Sequence, residues 1–183
     1  MPLEREIKLR FEHPARAREA ILAAGAVPYR PRRLQQDSLL DTADGRLRDA
    51  RSALRVRLEP GAVLLTYKGP VQASAMKLRE EIETTAADAE ALTAILSRLG
   101  FQVWFRYEKY REEFAKGNVI LAIDETPLGT FVEIEGSEEG VHACAAAVGR
   151  APSDYLLDSY RSLFVAECRR RGVPAGDMLF ERV

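Results

Sequence analysis

Alternating apolar and charged positions lay this chain out as strand after strand. At period two, Leu3, Ile7, Leu9 and Phe11 point one way and Glu4, Glu6 and Lys8 the other, with Arg5 the exception. The parity returns downstream. Leu54, Val56 and Leu58 oppose Arg55 and Arg57, and the stretch 63–68 puts Thr66 and Lys68 on one face. Arg79, Glu81 and Glu83 oppose Leu78 and Ile82. A long aromatic stretch over 101–114 carries Lys109 and Arg111 at spacing two. Val119, Leu121 and Ile123 oppose Asp124, and Glu133 and Glu135 oppose Val132 and Ile134. A further strand over 29–40 contains Pro31, which predicts an edge or an irregular start.

Helices fall between these strands. Pro14 suits a first helical turn and Gly25 a stop, so 14–24 reads as a helix. Asp88 caps a second helix, with Leu92, Ile95, Leu96 and Leu99 as its stripe and Gly100 as its end. Ser137 caps a third, running to Val148, and a fourth runs from Ser159 to Arg171 before Gly172. The piece 47–53 is short and helical or irregular, 69–75 reads as a mobile loop, and 174–183 is a tail without clear pattern. Neither a repeat nor a linker divides the chain, which predicts a single domain over 1–183.

Composition narrows the function. The 183 residues carry 30% charged side chains and a formal net charge of -1. A balanced total leaves no basic footprint, which argues against nucleic acid as a partner. The absence of a bilayer-length apolar run argues against a membrane span, and the charged N-terminus does not resemble a signal peptide. Cys144 and Cys168 lack metal spacing and read as reduced thiols of a cytoplasmic protein, a disulfide being the alternative. His13 and His142 stand apart in polar contexts, so no Ser/His/Asp or Cys/His arrangement suggests itself. The phosphate-binding string GxxxxGK[ST] is absent.

The informative feature is the set of charges on the strands' polar faces. Lys8, Arg55, Arg57, Lys68, Arg79, Lys109 and Arg111 match Glu4, Glu6, Glu81, Glu83, Asp124, Glu133 and Glu135 in number. An ordinary half-buried sheet would carry Thr, Ser and Gln on its wet face. Charges at spacing two on most strands point to an enclosed polar face. A closed antiparallel barrel with a charged lumen and helices over its apolar outside satisfies both faces. Cross-strand salt bridges alone explain the pattern poorly, because exposed pairs contribute little and buried ones cost desolvation. Arginine forks match phosphate oxygens, and clustered carboxylates suit Mg2+ or Mn2+. A chain of phosphates needs both.

These residues resemble a known family. Glu4-x-Glu6-x-Lys8 matches the ExExK signature of the CYTH superfamily, the triphosphate tunnel metalloenzymes. The likeness continues through Leu54-Arg55-Val56-Arg57, Thr66-Tyr67-Lys68, Arg79-x-Glu81-x-Glu83, Lys109-x-Arg111, Asp124-Glu125-x-Pro127-Leu128-Gly129 and Glu133-Ile134-Glu135. It implies an α+β fold around a closed eight-stranded antiparallel tunnel, dependence on Mg2+ or Mn2+, and a triphosphate substrate. It also implies phosphate ligation by Lys8, Arg55, Arg57, Lys68, Arg79, Lys109 and Arg111, and metal ligation by Glu4, Glu6, Glu133 and Glu135. Lys8, Lys68, Glu81, Glu83 and Asp124 then stand nearest the chemistry. Ser159-Tyr160-Arg161-Ser162-Leu163 is similar to a stretch of class IV adenylate cyclase-like members, although it reads equally as a helix start. Tyr29, Trp104 and Tyr107 could stack on an adenine or a thiazole, but packing is their ordinary role.

Three functions fit these residues. One is an adenylate cyclase turning ATP into cyclic AMP and pyrophosphate. Another is a hydrolase of inorganic triphosphate, thiamine triphosphate or a nucleoside triphosphate. The third, a non-catalytic polyphosphate- or nucleotide-binding module, would not need the carboxylates. Resemblance also raises the expectation of a homodimer.

Overall fold

The computed structural model describes residues 3–181 and shows an α+β fold built on a closed barrel. Eight strands, β1 (Leu3–Phe11), β2 (Val27–Thr42), β3 (Ala53–Glu59), β4 (Ala62–Lys68), β5 (Lys77–Ala86), β6 (Phe101–Lys116), β7 (Val119–Thr126) and β8 (Gly129–Glu135), follow the order β1-β5-β4-β3-β2-β6-β7-β8. Every ladder is antiparallel. Closure gives each of the eight strands a partner on both sides and makes inside and outside faces of one strand parity.

Helices cover the apolar outside. α1 (Pro14–Ala23) and α4 (Glu138–Ala147) bury Ala17, Ile21, Val141 and Cys144 against Ile7, Leu9, Phe114, Leu121, Val132 and Ile134. α3 (Ala89–Arg98), capped by Asp88, lays Leu92 and Leu96 over Leu40, Val56 and Phe101. Cys144 and Cys168 are free and buried. Among the described residues, no helix is long and apolar enough to cross a membrane.

Pro31 lies where β2 has one neighbour. β3 pairs with β2 only over Gln36–Leu40, whereas β6 follows β2 along its length, with register shifts around Pro28, Arg30 and Arg33. The expected irregular start is therefore a bulged half-edge. The short piece after β2 is α2 (Arg46–Asp49).

After α4 the chain returns to the barrel. Leu156 exchanges two backbone hydrogen bonds with Lys8, beyond the point where β5 stops pairing with β1. α5 (Tyr160–Arg171) starts there, and Gly172 ends it at φ 69°, a left-handed conformation that favours glycine. The tail, patternless as sequence, is docked over its described part, residues 182 and 183 lying outside the described residues. Met178 is fully buried, bridges to Tyr107 in parallel and exchanges backbone bonds with Arg106 and Glu108.

Candidate active site

The inward parity of the strands lines a cavity of about 940 Å3 inside the barrel. That volume falls in the range of small-molecule sites. Its wall includes Glu4, Glu6, Lys8, Arg55, Arg57, Lys68, Arg79, Glu81, Glu83, Lys109, Arg111, Glu133 and Glu135. Asp124 joins them through Lys109 and Arg111. The fold thus brings together every residue singled out by parity.

These charges form two neighbourhoods. In the first, Asp124 is fully buried and accepts hydrogen bonds from Lys109 Nζ at 2.8 Å, Arg111 Nε at 2.7 Å and the Tyr160 hydroxyl at 2.6 Å. Glu133 accepts from Arg111 and lies 3.1 Å from Lys8 Nζ. Burial disfavours both carboxylates' charged forms. The cations outweigh it, holding Asp124 below and Glu133 well below their ordinary pKa values. Lys109 goes the other way: burial and the adjacent Arg111 lower it to about 8 despite Asp124 and Glu133. Tyr160 is pushed well up by burial, Asp124 and Glu133, so its hydroxyl stays a donor.

Carboxylates dominate the second neighbourhood. Glu4 accepts from Lys68 at 2.7 Å and from Arg79 at 2.8 Å; these cations outweigh burial and lower its pKa. Glu6 accepts from Lys77 at 2.6 Å, and Glu81 from Lys68 at 2.8 Å. Glu83 accepts from Thr66 and Arg55. Glu135 opens onto solvent, yet the surrounding protein desolvates it, and Glu4, Glu6 and Glu81 repel its charge, raising its pKa to about 7. Among the described residues it has no ion-pair partner.

Those oxygens fit a hard divalent cation, which would relieve the repulsion at Glu135. The side chains do not yet converge: among the described residues, no three Asp, Glu, His or Cys side chains come together closely enough to hold a metal ion. Glu4, Glu6 and Glu81 would have to exchange ammonium and guanidinium partners for a metal. Of the four carboxylates expected to hold the metal, Glu4, Glu6 and Glu135 stand with Glu81, and Glu133 faces Lys8, Lys109 and Arg111.

Several residues of the wall and of the network behind it carry no clear signal in the sequence. Lys77 extends the parity of Arg79, Glu81 and Glu83 by one step, but the strand was read as starting at Leu78. Asp37 accepts two bonds from Arg57, at 2.8 and 3.3 Å. Gln35 and Arg33 hold Glu59, whose pKa is about 2 because their hydrogen bonds and that of Arg30 outweigh burial. Asp37, Gln35 and Arg33 keep period two, but Pro31 and the bulges hid that strand's phase.

The remaining assignments separate cleanly. Tyr29 is exposed, so it packs on nothing substantial; Tyr107 is buried in the wall beside Arg55 and Asp37. Ser159 caps α5 by accepting from Ser162 N–H, while Tyr160 reaches Asp124, so helix start and lumen contact coexist in one stretch. His142 bonds to Tyr155 at 3.0 Å, outside the lumen.

Comparison with known proteins follows this geometry. The CYTH domain model matches residues 2–151. A provisionally named adenylate cyclase of Methanocaldococcus jannaschii is 33% identical over 136 residues, covering 74% of this chain and 77% of that protein. A structure from Vibrio parahaemolyticus, also provisionally titled an adenylate cyclase, superposes with a TM-score of 0.78 at 20% identity, covering 88% of this chain and 97% of the other. A Hippeastrum protein titled as an adenylyl cyclase with a dominant triphosphatase activity gives a TM-score of 0.61 at 18% identity, covering 96% and 98%. At these identities the two structures speak for the fold alone.

Proposed function

We propose, from the premise that this chain belongs to the CYTH domain family, that it is a divalent-metal-dependent enzyme acting on a triphosphate held in the barrel, with conversion of ATP into cyclic AMP and pyrophosphate as its reaction. The carrying observation is the lumen itself, where lysines and arginines share a cavity of about 940 Å3 with carboxylates they do not fully neutralise. The M. jannaschii relative's name supports the cyclase reading.

Arg55, Arg57, Arg79 and Arg111 bring forked donors, and Lys8, Lys68 and Lys109 bring point charges, to the non-bridging oxygens. Their carboxylate partners hold them extended into the lumen before substrate arrives, which lowers the ordering cost of binding. Glu4, Glu6, Glu81 and Glu135 would hold Mg2+ or Mn2+, which when bound supplies Lewis-acid charge stabilisation to the phosphoryl group. The ribose 3'-oxygen forms its bond to the α-phosphorus as the bond to the bridging oxygen of pyrophosphate breaks. Its proton passes to Glu83, which is outside that metal set and has a half-exposed side chain. Asp124, committed to Lys109, Arg111 and Tyr160, positions those cations.

A second reading, hydrolysis of a triphosphate at its terminal phosphorus, uses the same lumen, since the half-exposed Glu83 side chain can take a proton from water as readily as from a ribose hydroxyl. Product analysis separates the two: purified protein with Mg2+ or Mn2+ is given ATP and inorganic triphosphate separately. Cyclic AMP with equimolar pyrophosphate is the expected result. Orthophosphate from inorganic triphosphate, with ATP left nearly untouched, would overturn the cyclase.

A further inference from the structure

One rim of the tunnel carries three arginines, two of them with side chains that have no hydrogen-bond or ion-pair partner among the described residues. Trp104, on β6, has two guanidiniums over its ring, those of Arg48 and Arg161, each 4.6 Å from the centroid. Arg48 is fixed there by buried Asp41, which accepts from its Nε at 2.9 Å and from the backbone N–H groups of Leu47 and Arg48. Arg161 has no hydrogen-bond or ion-pair partner for its side chain among the described residues, and burial together with Arg48 lowers its pKa.

Arg51 stands beside them with its side chain likewise unpartnered among the described residues, lining the same cavity. Its backbone φ is 55°, and it is the non-glycine residue of the described chain in the left-handed region. A position closing a short helix in this way normally falls to Gly or Asn. Keeping arginine there strains the backbone, and such strain gathers at functional sites.

We propose that Arg48, Arg51, Trp104 and Arg161 form a rim site for the uncharged heteroaromatic base of a nucleoside triphosphate, and that they disfavour a cationic group such as the thiazolium of thiamine triphosphate. Guanidinium planes stack well on bases, and their edges donate to ring nitrogens and carbonyls. The indole face that could hold a thiazolium is already occupied by two cations. Asp158 shares the rim and Asp177 lines the cavity beside it, but with Asp41 taken up by Arg48 and Asp177 by Arg106, Arg51 and Arg161 still leave the rim positive. Trp104 and Arg161 also border a second cavity of about 290 Å3, which gives a group attached to the phosphate chain room beside the tunnel. This inference rests on the triphosphate reading above and adds the chemistry at the chain's other end.

The test is calorimetric binding of ATP, thiamine triphosphate and inorganic triphosphate, each with Mg2+, to wild type, Arg161→Ala and Arg51→Gly. Wild type should bind ATP at least about tenfold tighter than thiamine triphosphate. Arg161→Ala should lose about tenfold in ATP affinity and stay within about twofold for inorganic triphosphate. Arg51→Gly should raise Tm, by relieving the left-handed backbone, while weakening ATP, so lost binding cannot be laid to lost folding. Thiamine triphosphate binding as well as ATP overturns the proposal, as does an equal loss for ATP and inorganic triphosphate. Wild type binding none of the three overturns the triphosphate reading itself, and the rim site with it.

Discussion

Removing one charge from this lumen acts on substrate and fold together. Arg57 is both a forked phosphate donor and the main partner of fully buried Asp37. Arg57→Ala should weaken inorganic triphosphate binding about tenfold or more. It should also lower stability by about 2 kcal/mol, because buried Asp37 loses its two hydrogen bonds and keeps only Arg55, 3.4 Å away. Adding Asp37→Asn should recover much of the stability and none of the affinity, read by urea denaturation and calorimetry. Unchanged binding in Arg57→Ala would count against the phosphate assignment. Glu59 gives the pH counterpart. Its folded pKa of about 2 lies below the ordinary 4.5, so its ionised form stabilises the fold above pH 4.5, and that contribution is lost as pH falls from 4.5 toward 2. Glu59→Gln should therefore flatten the loss of stability over that window, and an unaltered acid profile would contradict the Glu59 network.

Elements reveal their limits where two backbones approach. α4 crosses β7 at Gly140, where an added Cβ would fall 2.6 Å from Val119 Cγ2 and 3.0 Å from the capping Ser137 Oγ. Gly to Ala inside a helix ordinarily stabilises by about 1 kcal/mol. Here Val119 is buried and β-branched, so overpacking of about 1–3 kcal/mol should win and Gly140→Ala should lower Tm. Val119→Ala in the same chain should relieve it; a higher Tm for Gly140→Ala alone would contradict this packing. The cap at Ser137 was legible because side-chain chemistry marks it, whereas the close approach at Gly140 has no local signal. Strand parity was legible wherever one face was continuously charged, as in β1, β3 and β5. It failed in β2, where bulges around Pro28–Arg33 break the period and conceal Gln35 as a wall residue and Asp37 as the buried partner of Arg57. The tail was illegible for another reason: Met178 and Asp177 are ordered by β6, far away in sequence.

At the scale of the whole molecule, closure makes the parity meaningful. Charges that would be solvated on an open sheet face one another across a lumen, so lysines and arginines hold most of the carboxylates and Glu135 is left among its own kind. The charge count along the strands announced that enclosure, but not which cations face Glu133 and which carboxylates surround Glu135, because that depends on how tilted strands bring side chains together across the lumen. Glu135→Gln should abolish metal-dependent turnover. At pH 8 it should also fold at least as stably as wild type, since a carboxylate with a raised pKa opposes folding once ionised. Retained turnover would move the metal elsewhere. The most direct measurement for the whole account is turnover of ATP and inorganic triphosphate by chelator-treated protein, followed by titration with Mg2+ or Mn2+. A carboxylate-lined triphosphate tunnel predicts no turnover in chelator and its return on adding metal. Turnover that persists without metal, or none with either metal and either substrate, would contradict it.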